Sequence, residues 1–204
     1  MLDAKPSTEL SDACMTKSYL VNSSSEQDTI TIGRAIGALL HPGDIITMLG
    51  DLGCGKTRLA KGIISESLKT PVDEINSPSF TIVNRYEGPF TIDHVDLYRV
   101  GPEAIEELGL MEVLDLCGAL LIEWAPDKVP MLCSELKISF SRKQDDNSRI
   151  LQFQYLTTGA WNLRFQVIVD SFSTLNLPVI VYETDFKNNS WNALTHIGEN
   201  KWPL

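Results

Sequence analysis

Cysteine is scarce and shows no pairing pattern. The four residues, Cys14, Cys54, Cys117 and Cys133, have no C-x-x-C spacing and no histidines set beside them. This argues against a disulfide framework or a structural zinc site and suits a reduced, intracellular chain. Long hydrophobic runs are also missing. The longest, such as Gly118 to Ile122, fall far short of the ~20 apolar residues a bilayer span needs, so no membrane partner is expected. Positive charge is in deficit, with a formal net charge of −10. Surfaces that grip DNA, RNA or anionic lipid unaided are basic, so no DNA partner is expected and RNA would be met only through another protein. The first residues include Asp3, Glu9 and Asp12, which fits neither a signal peptide nor a transit peptide. A cytoplasmic location is therefore expected, although an organellar form without its presequence would look the same. No internal repeat is visible.

What the chain does have is enough apolar content for a real core: 43% hydrophobic residues in 204, suited to one domain. Residues 1–16 are polar and aperiodic and read as a flexible leader, residues 17–168 as the domain, and 169–204 as an extension with one apolar burst, "LPVIVYE". Within the domain, 17–23 reads as a strand. Ile32, Ile36, Leu39 and Leu40 then recur at helical spacing, behind Ser24 or Ser25 as a cap and ahead of Pro42-Gly43 as a stop. "DIITMLG" reads as a buried strand and "KTRLAKGIISESLK" as the next helix. "FTIVNRYEG" and "FTIDHVDLYR" read as an antiparallel pair around Gly88-Pro89. "PEAIEELGLMEVL" is helical in part, "GALLIEW" is a strand buried on both faces, and "ELKISFSRK" with "RILQFQYLTT" is a hairpin around residues 143–148.

Between that buried strand and the next helix lies "GDLGCGKT", which satisfies G-x-x-x-x-G-K-[ST]. Gly50, Gly53 and Gly55 let backbone N–H groups turn inward around phosphate oxygens with no Cβ in the way. The following helix adds its positive end. Lys56 can reach terminal phosphates and the Thr57 hydroxyl can ligate Mg2+. Asp51, Leu52, Cys54 and Arg58 complete the nucleotide-binding loop. Cys54 reads as a small loop residue, with a redox switch as the alternative.

A nucleotide site also needs acids. Glu123 emerges from the end of "ALLI", where open α/β sheets bind their ligands, and a carboxylate there can hold Mg2+ or polarise water. Trp124 beside it is open between a core edge and a wall of the site. In "IDHVDLYR", Ile92, His94 and Asp96 share one strand face, and Asp93 and Val95 share the other. Asp96 is open between metal-site chemistry and an exposed acid or partner for Arg99. His94 reads as structural rather than catalytic, and Arg99 as half of a surface ion pair.

Together "GDLGCGKT", "SPSFTIVNRYEG", "HVDLYR" and "LLIEW" occur here in an order that resembles the bacterial-type TsaE (formerly YjeE) proteins. These are small P-loop ATPases that support threonylcarbamoylation of tRNA adenosine 37. The resemblance covers roughly residues 17–165. It implies a P-loop NTPase-like α/β fold with a mostly parallel central sheet, flanking helices and an antiparallel hairpin. It implies ATP on Gly50 to Thr57, Mg2+ on Thr57 and Glu123, and a role for Asp96 in hydrolysis and at the metal. Ser77 and Thr81 become contacts of a switch-like loop, and Glu26 lies where relatives approach adenine. The implied partners are a TsaD-like transferase and a TsaB-like subunit, with tRNA met only indirectly and ATP turnover, catalysed through Lys56, Asp96 and Glu123, resetting that pair. Cys54 and Arg58 stand where the family most often has alanine and threonine.

Three rivals share parts of this pattern. A small-molecule kinase also uses a P-loop but usually sets arginines over the phosphates, and seven are spread through this chain. A nucleotide-sensing adaptor would bind ATP without useful turnover. A GTPase would carry an N-K-x-D segment, which is not present.

Overall fold

A computed structural model of the chain describes residues 16–101, 107–110, 118–125, 135–142, 148–175, 177, 179–185 and 190–197. Residues 1–15 of the expected leader, most of the expected helix in "PEAIEELGLMEVL" and residues 143–147 of the expected turn lie outside the described residues, while Thr16 opens the first strand rather than closing a leader.

Among the described residues, nine strands form one sheet in the order β3-β4-β5-β2-β6-β7-β1-β8-β9. They are β1 (Thr16–Ser23), β2 (Ile45–Leu49), β3 (Val83–Tyr86), β4 (Ile92–Asp96), β5 (Ala119–Glu123), β6 (Glu135–Arg142), β7 (Arg149–Leu156), β8 (Val179–Asp185) and β9 (Ser190–Ile197). The centre, β4-β5-β2-β6, is parallel, as the strands buried on both faces require. Antiparallel strands extend it on both flanks: β3 on β4, and β7, β1, β8 and β9 beyond β6. The antiparallel part is thus larger than a single hairpin.

The apolar alternation along the central strands sorts side chains to two faces. Ile92, Ala119, Leu121, Ile46 and Met48 join the larger core, while Val95, Leu120, Ile122 and Ile45 join a smaller one on the opposite face. Helices α1 (Glu26–Gly37), α2 (Lys56–Leu68) and α3 (Trp161–Thr174) pack with the larger core.

The helix α1 starts where Ser25 Oγ accepts the Asp28 N–H at 3.0 Å and Asp28 Oδ2 accepts the Ser24 N–H at 2.8 Å, a reciprocal capping arrangement. It then crosses α2 at very short range. A Cβ built on Gly33 would lie 2.4 Å from the Leu59 carbonyl oxygen, and one on Gly62 would lie 2.4 Å from that of Ile30. Only hydrogen side chains let these backbones approach so closely. This contact holds the start of α2, and hence the glycine-rich loop, beside the end of β1.

Beyond residue 160 the chain contributes to the same core. Trp161, Phe165, Ile168, Val169 and Phe172 form a buried stripe on α3, at spacings of three and four broken by one adjacent pair. Phe165 meets Tyr19, Phe153 and Tyr155 with ring centroids 4.9, 5.1 and 5.2 Å away. On its other side Arg164 grips buried Asp44 bidentately, at 2.6 and 2.7 Å, and donates to the Leu39 carbonyl at 2.9 Å. The loop between α1 and β2 is thereby pinned to α3.

Candidate functional site

The parallel strands β2, β4, β5 and β6 end at one edge of the sheet. The strand β1 runs in the same direction and antiparallel β7 starts there. A cavity of about 270 Å³ opens at this edge, as expected for ligand binding in an open α/β sheet.

The loop after β2 builds its floor. Gly50, Gly53 and Gly55 have φ of 139°, 72° and 116°, a region that disfavours any Cβ. At Gly50 space forbids one as well, since it would lie 2.8 Å from Phe140 Cβ. Gly55 is the N-cap of α2 and gives it no side-chain cap. The first amides of that helix are therefore not taken by a cap side chain, as an anion site requires.

Lys56, buried, donates from Nζ to the Gly50 and Asp51 carbonyls at 2.7 and 3.0 Å. The same ammonium lies 3.7 Å from the Trp124 ring centroid, a cation–π contact. Gly50 and Asp51 thus contribute carbonyls to the lysine rather than cavity surface. The Cys54 thiol, 3.7 Å from Lys56 Nζ, is buried. Burial raises its pKa, outweighing the lowering effect of the Lys56 charge.

At the second residue of α2, Thr57 Oγ1 donates to Glu123 Oε2 at 3.0 Å. The other oxygen, Oε1, lies 2.8 Å from His94 Nε2. Asp96 and Glu123 are direct neighbours in the parallel β4–β5 register. Asp96 is buried at the cavity wall, and its Oδ1 accepts the Tyr98 N–H at 3.0 Å. It is neither an exposed acid nor the partner of Arg99, whose guanidinium instead lies 4.5 Å from the Phe80 ring centroid. Trp124 lines the cavity in a left-handed conformation, φ 61°, and packs against Tyr98 with the rings tilted by 43° and centroids 4.8 Å apart.

The described residues contain no group of three or more His, Cys, Asp or Glu suited to a metal. A hydroxyl and one or two carboxylates fit Mg2+ better than a protein cage would, because that ion keeps waters and takes the rest of its shell from phosphates. The hydrogen bond between Thr57 and Glu123 is also compatible: the hydroxyl directs its O–H at the carboxylate and keeps a lone pair for a cation.

Of the expected residues, Glu26, Leu52, Gly53, Gly55, Lys56, Thr57 and Arg58 line the cavity together with Asp96, Glu123 and Trp124. Arg58 Nε pairs with Glu26 Oε1 at 3.1 Å across the exposed α1–α2 side. The Ser77 and Thr81 side chains are not brought in. Ser77 Oγ lies 2.7 Å from Ser79 Oγ, and Thr81 Oγ1 donates to Asn84 Oδ1 at 2.6 Å. One bond lies within the loop and the other ties it to β3, and Ser79 is its residue at the cavity wall.

Two further wall residues, Thr29 and Arg149, were not anticipated. Thr29 lies three residues after Glu26 on α1, a spacing that periodicity could have supplied. Arg149 Nε donates to the Cys54 carbonyl at 2.9 Å. Only the pairing of β7 with β1 and β6 brings it there, so no local signal marks it.

The comparisons agree with this architecture. The family model described as threonylcarbamoyl adenosine biosynthesis protein TsaE matches residues 23–151. A tRNA threonylcarbamoyladenosine biosynthesis protein TsaE of Bacillus subtilis (strain 168) is 37% identical over 128 residues, covering 61% of this chain and 78% of that protein. The protein of the same name in Rickettsia bellii is 40% identical over 129 residues, covering 62% of this chain and 88% of its own length. A crystal structure of YdiB from Bacillus subtilis superposes with a TM-score of 0.55 at 28% identity, covering 79% of this chain and 97% of that one. With a family match over more than half its length, this chain belongs to the TsaE family.

Proposed function

We propose that the protein is a Mg2+-dependent ATPase that supports N6-threonylcarbamoyladenosine formation at tRNA position 37 by binding and resetting a TsaD–TsaB-type transferase pair. The observation that supports this most is the convergence at one cavity of three features. These are an α2 N-terminus without a side-chain cap, a buried lysine, and a threonine hydroxyl held on a strand-end carboxylate.

In this reading Lys56 exchanges the Gly50 and Asp51 carbonyls for β- and γ-phosphate oxygens. The first amides of α2 and the loop line the phosphate chain, in a site whose dipoles are already oriented. Thr57 and Glu123 hold the metal, and Asp96, fixed by the Tyr98 N–H, orients the attacking water. Bound Mg2+ neutralises charge that develops on the phosphate oxygens.

The resting contacts of Lys56 also favour low basal turnover. Two carbonyls and the Trp124 ring compete with phosphate for its charge. Binding tRNA directly is no part of the reading, because a chain of net charge −10 makes a poor RNA surface.

The test is phosphate release from ATP with and without a cognate TsaB–TsaD pair, run beside multi-turnover tRNA modification. Stimulated release that accompanies repeated modification cycles supports the proposal. Tight ATP binding with no stimulated release would select an adaptor, and phosphate transfer to an added small-molecule acceptor would select a kinase.

A further inference from the structure

His94 is fully buried in the middle of β4, 29 residues before Glu123 in sequence and one strand away in space. Its two ring nitrogens differ sharply. Nε2 lies 2.8 Å from Glu123 Oε1, while Nδ1 is buried with no hydrogen-bond partner. A buried N–H without an acceptor is costlier than a buried lone pair without a donor. The proton therefore belongs on Nε2, donated to Glu123, and the bare lone pair on Nδ1.

This tautomer has a consequence at the phosphate site. Glu123 has one oxygen on the histidine and the other on the Thr57 hydroxyl at 3.0 Å. Without the histidine, the carboxylate could rotate about its terminal torsion, which is broad and soft, and meet Thr57 in many poses. With it, Oε1 is fixed and Oε2 is aimed at the hydroxyl and the cavity. The motif "HVDLYR" thus carries two different devices on one strand face: Asp96 at the cavity wall, and His94 two residues back.

We propose that His94 is a positioning residue that donates Nε2–H to Glu123 and so sets the carboxylate's geometry for a divalent cation beside Thr57. The proposal rests on the Mg2+–ATP reading of the same site. The tautomer follows from the carboxylate acceptor at Nε2 and the lack of a partner at Nδ1.

The test uses the full chain in three variants. His94→Gln keeps an amide donor at nearly the reach of Nε2, His94→Asn keeps an amide too short to reach Glu123, and His94→Leu removes the donor. Apo urea melts establish that each is folded, and Asn replaces Leu in the comparison if the apolar variant does not fold. ATP binding is titrated by calorimetry with EDTA and with increasing Mg2+.

Loss of an outer partner of a metal ligand typically costs 10–100-fold in metal affinity. The expected result is that Leu and Asn raise the Mg2+ concentration needed for tight nucleotide binding by about tenfold or more. Gln should stay within about threefold of wild type, and ATP affinity in EDTA should be unchanged in all three. Nitrogen-15 imidazole shifts of the apo protein, a readout independent of nucleotide, should show His94 protonated at Nε2 and bare at Nδ1. Equal Mg2+ dependence in wild type, Leu and Asn would overturn the positioning role alone, as would an Nδ1–H tautomer or equal losses with and without metal. Wild type that binds no ATP would overturn the parent reading and this one with it.

Discussion

The Thr57 hydroxyl and the Glu123 carboxylate, 66 residues apart in the chain, are joined by a 3.0 Å hydrogen bond between α2 and the end of β5. This bond ties α2 to the one strand end that presents a buried glutamate to the cavity among the described residues. Glu123→Gln keeps the size of the side chain but removes its charge. Partner-stimulated phosphate release should fall about 100-fold or more, the scale for losing a charged group that acts on developing charge. ATP affinity in EDTA should stay within about twofold. Calorimetry and phosphate-release assays on one preparation check both.

The α1–α2 crossing has no room for a methyl group. Gly62→Ala places Cβ 2.4 Å from the Ile30 carbonyl oxygen, a backbone atom that cannot turn aside. Alanine's better helix propensity gains ~1 kcal/mol, but overpacking costs more when whole helices must separate. A net loss of about 2 kcal/mol is expected, read as a lower urea midpoint with an unchanged slope.

Arg164 and Asp44 form a bidentate pair with the carboxylate almost wholly buried. Arg164→Met leaves that carboxylate without its cation and should destabilise the fold by about 3 kcal/mol. The pair joins the loop between α1 and β2 to α3, and neither residue lines the cavity. At a temperature where the variant stays folded, its ATP affinity should match wild type. A parallel loss of affinity would show that α3 shapes the site.

Cys54 stands beside a lysine ammonium, yet burial raises its thiol pKa above the ordinary value. The thiol should thus resist iodoacetamide at pH 7 in the native state and react on unfolding. The sign for stability follows from the folded pKa exceeding the unfolded one. The contribution is fully present below the unfolded value and is lost as pH rises toward the folded one. Urea midpoints should therefore decline through the alkaline range, and more steeply in wild type than in Cys54→Ala.

Much of the site was legible because its signals are local. Three glycines, a lysine and a threonine within eight residues specify the loop, and an apolar run ending in an acid locates Glu123. The period-two pattern of "IDHVDLYR" correctly separates Ile92 from Val95, which join opposite cores. Local pattern could not find Arg149, whose place depends on β7 pairing with β1 and β6. Nor could it decide residues 77–81, where Ser77 pairs with Ser79, Thr81 donates to Asn84 on β3, and Ser79 is the one that lines the cavity. Arg99 illustrates the same limit: a charge was visible, but its aromatic partner Phe80 comes from a loop nineteen residues away in the chain. The stripe from Trp161 to Phe172 has helical spacing apart from the adjacent pair Ile168 and Val169. Polar residues beyond 169 obscured it, and its anchors, Tyr19, Phe153 and Asp44, are all distant in sequence.

The most direct test of the whole account is phosphate release at saturating Mg2+–ATP with the cognate TsaB–TsaD pair, comparing wild type with Lys56→Ala. The account predicts partner-stimulated release in wild type and its reduction to background in the variant, with the variant's apo fold intact by urea melt. Release by contaminant-free Lys56→Ala at the wild-type rate would contradict it.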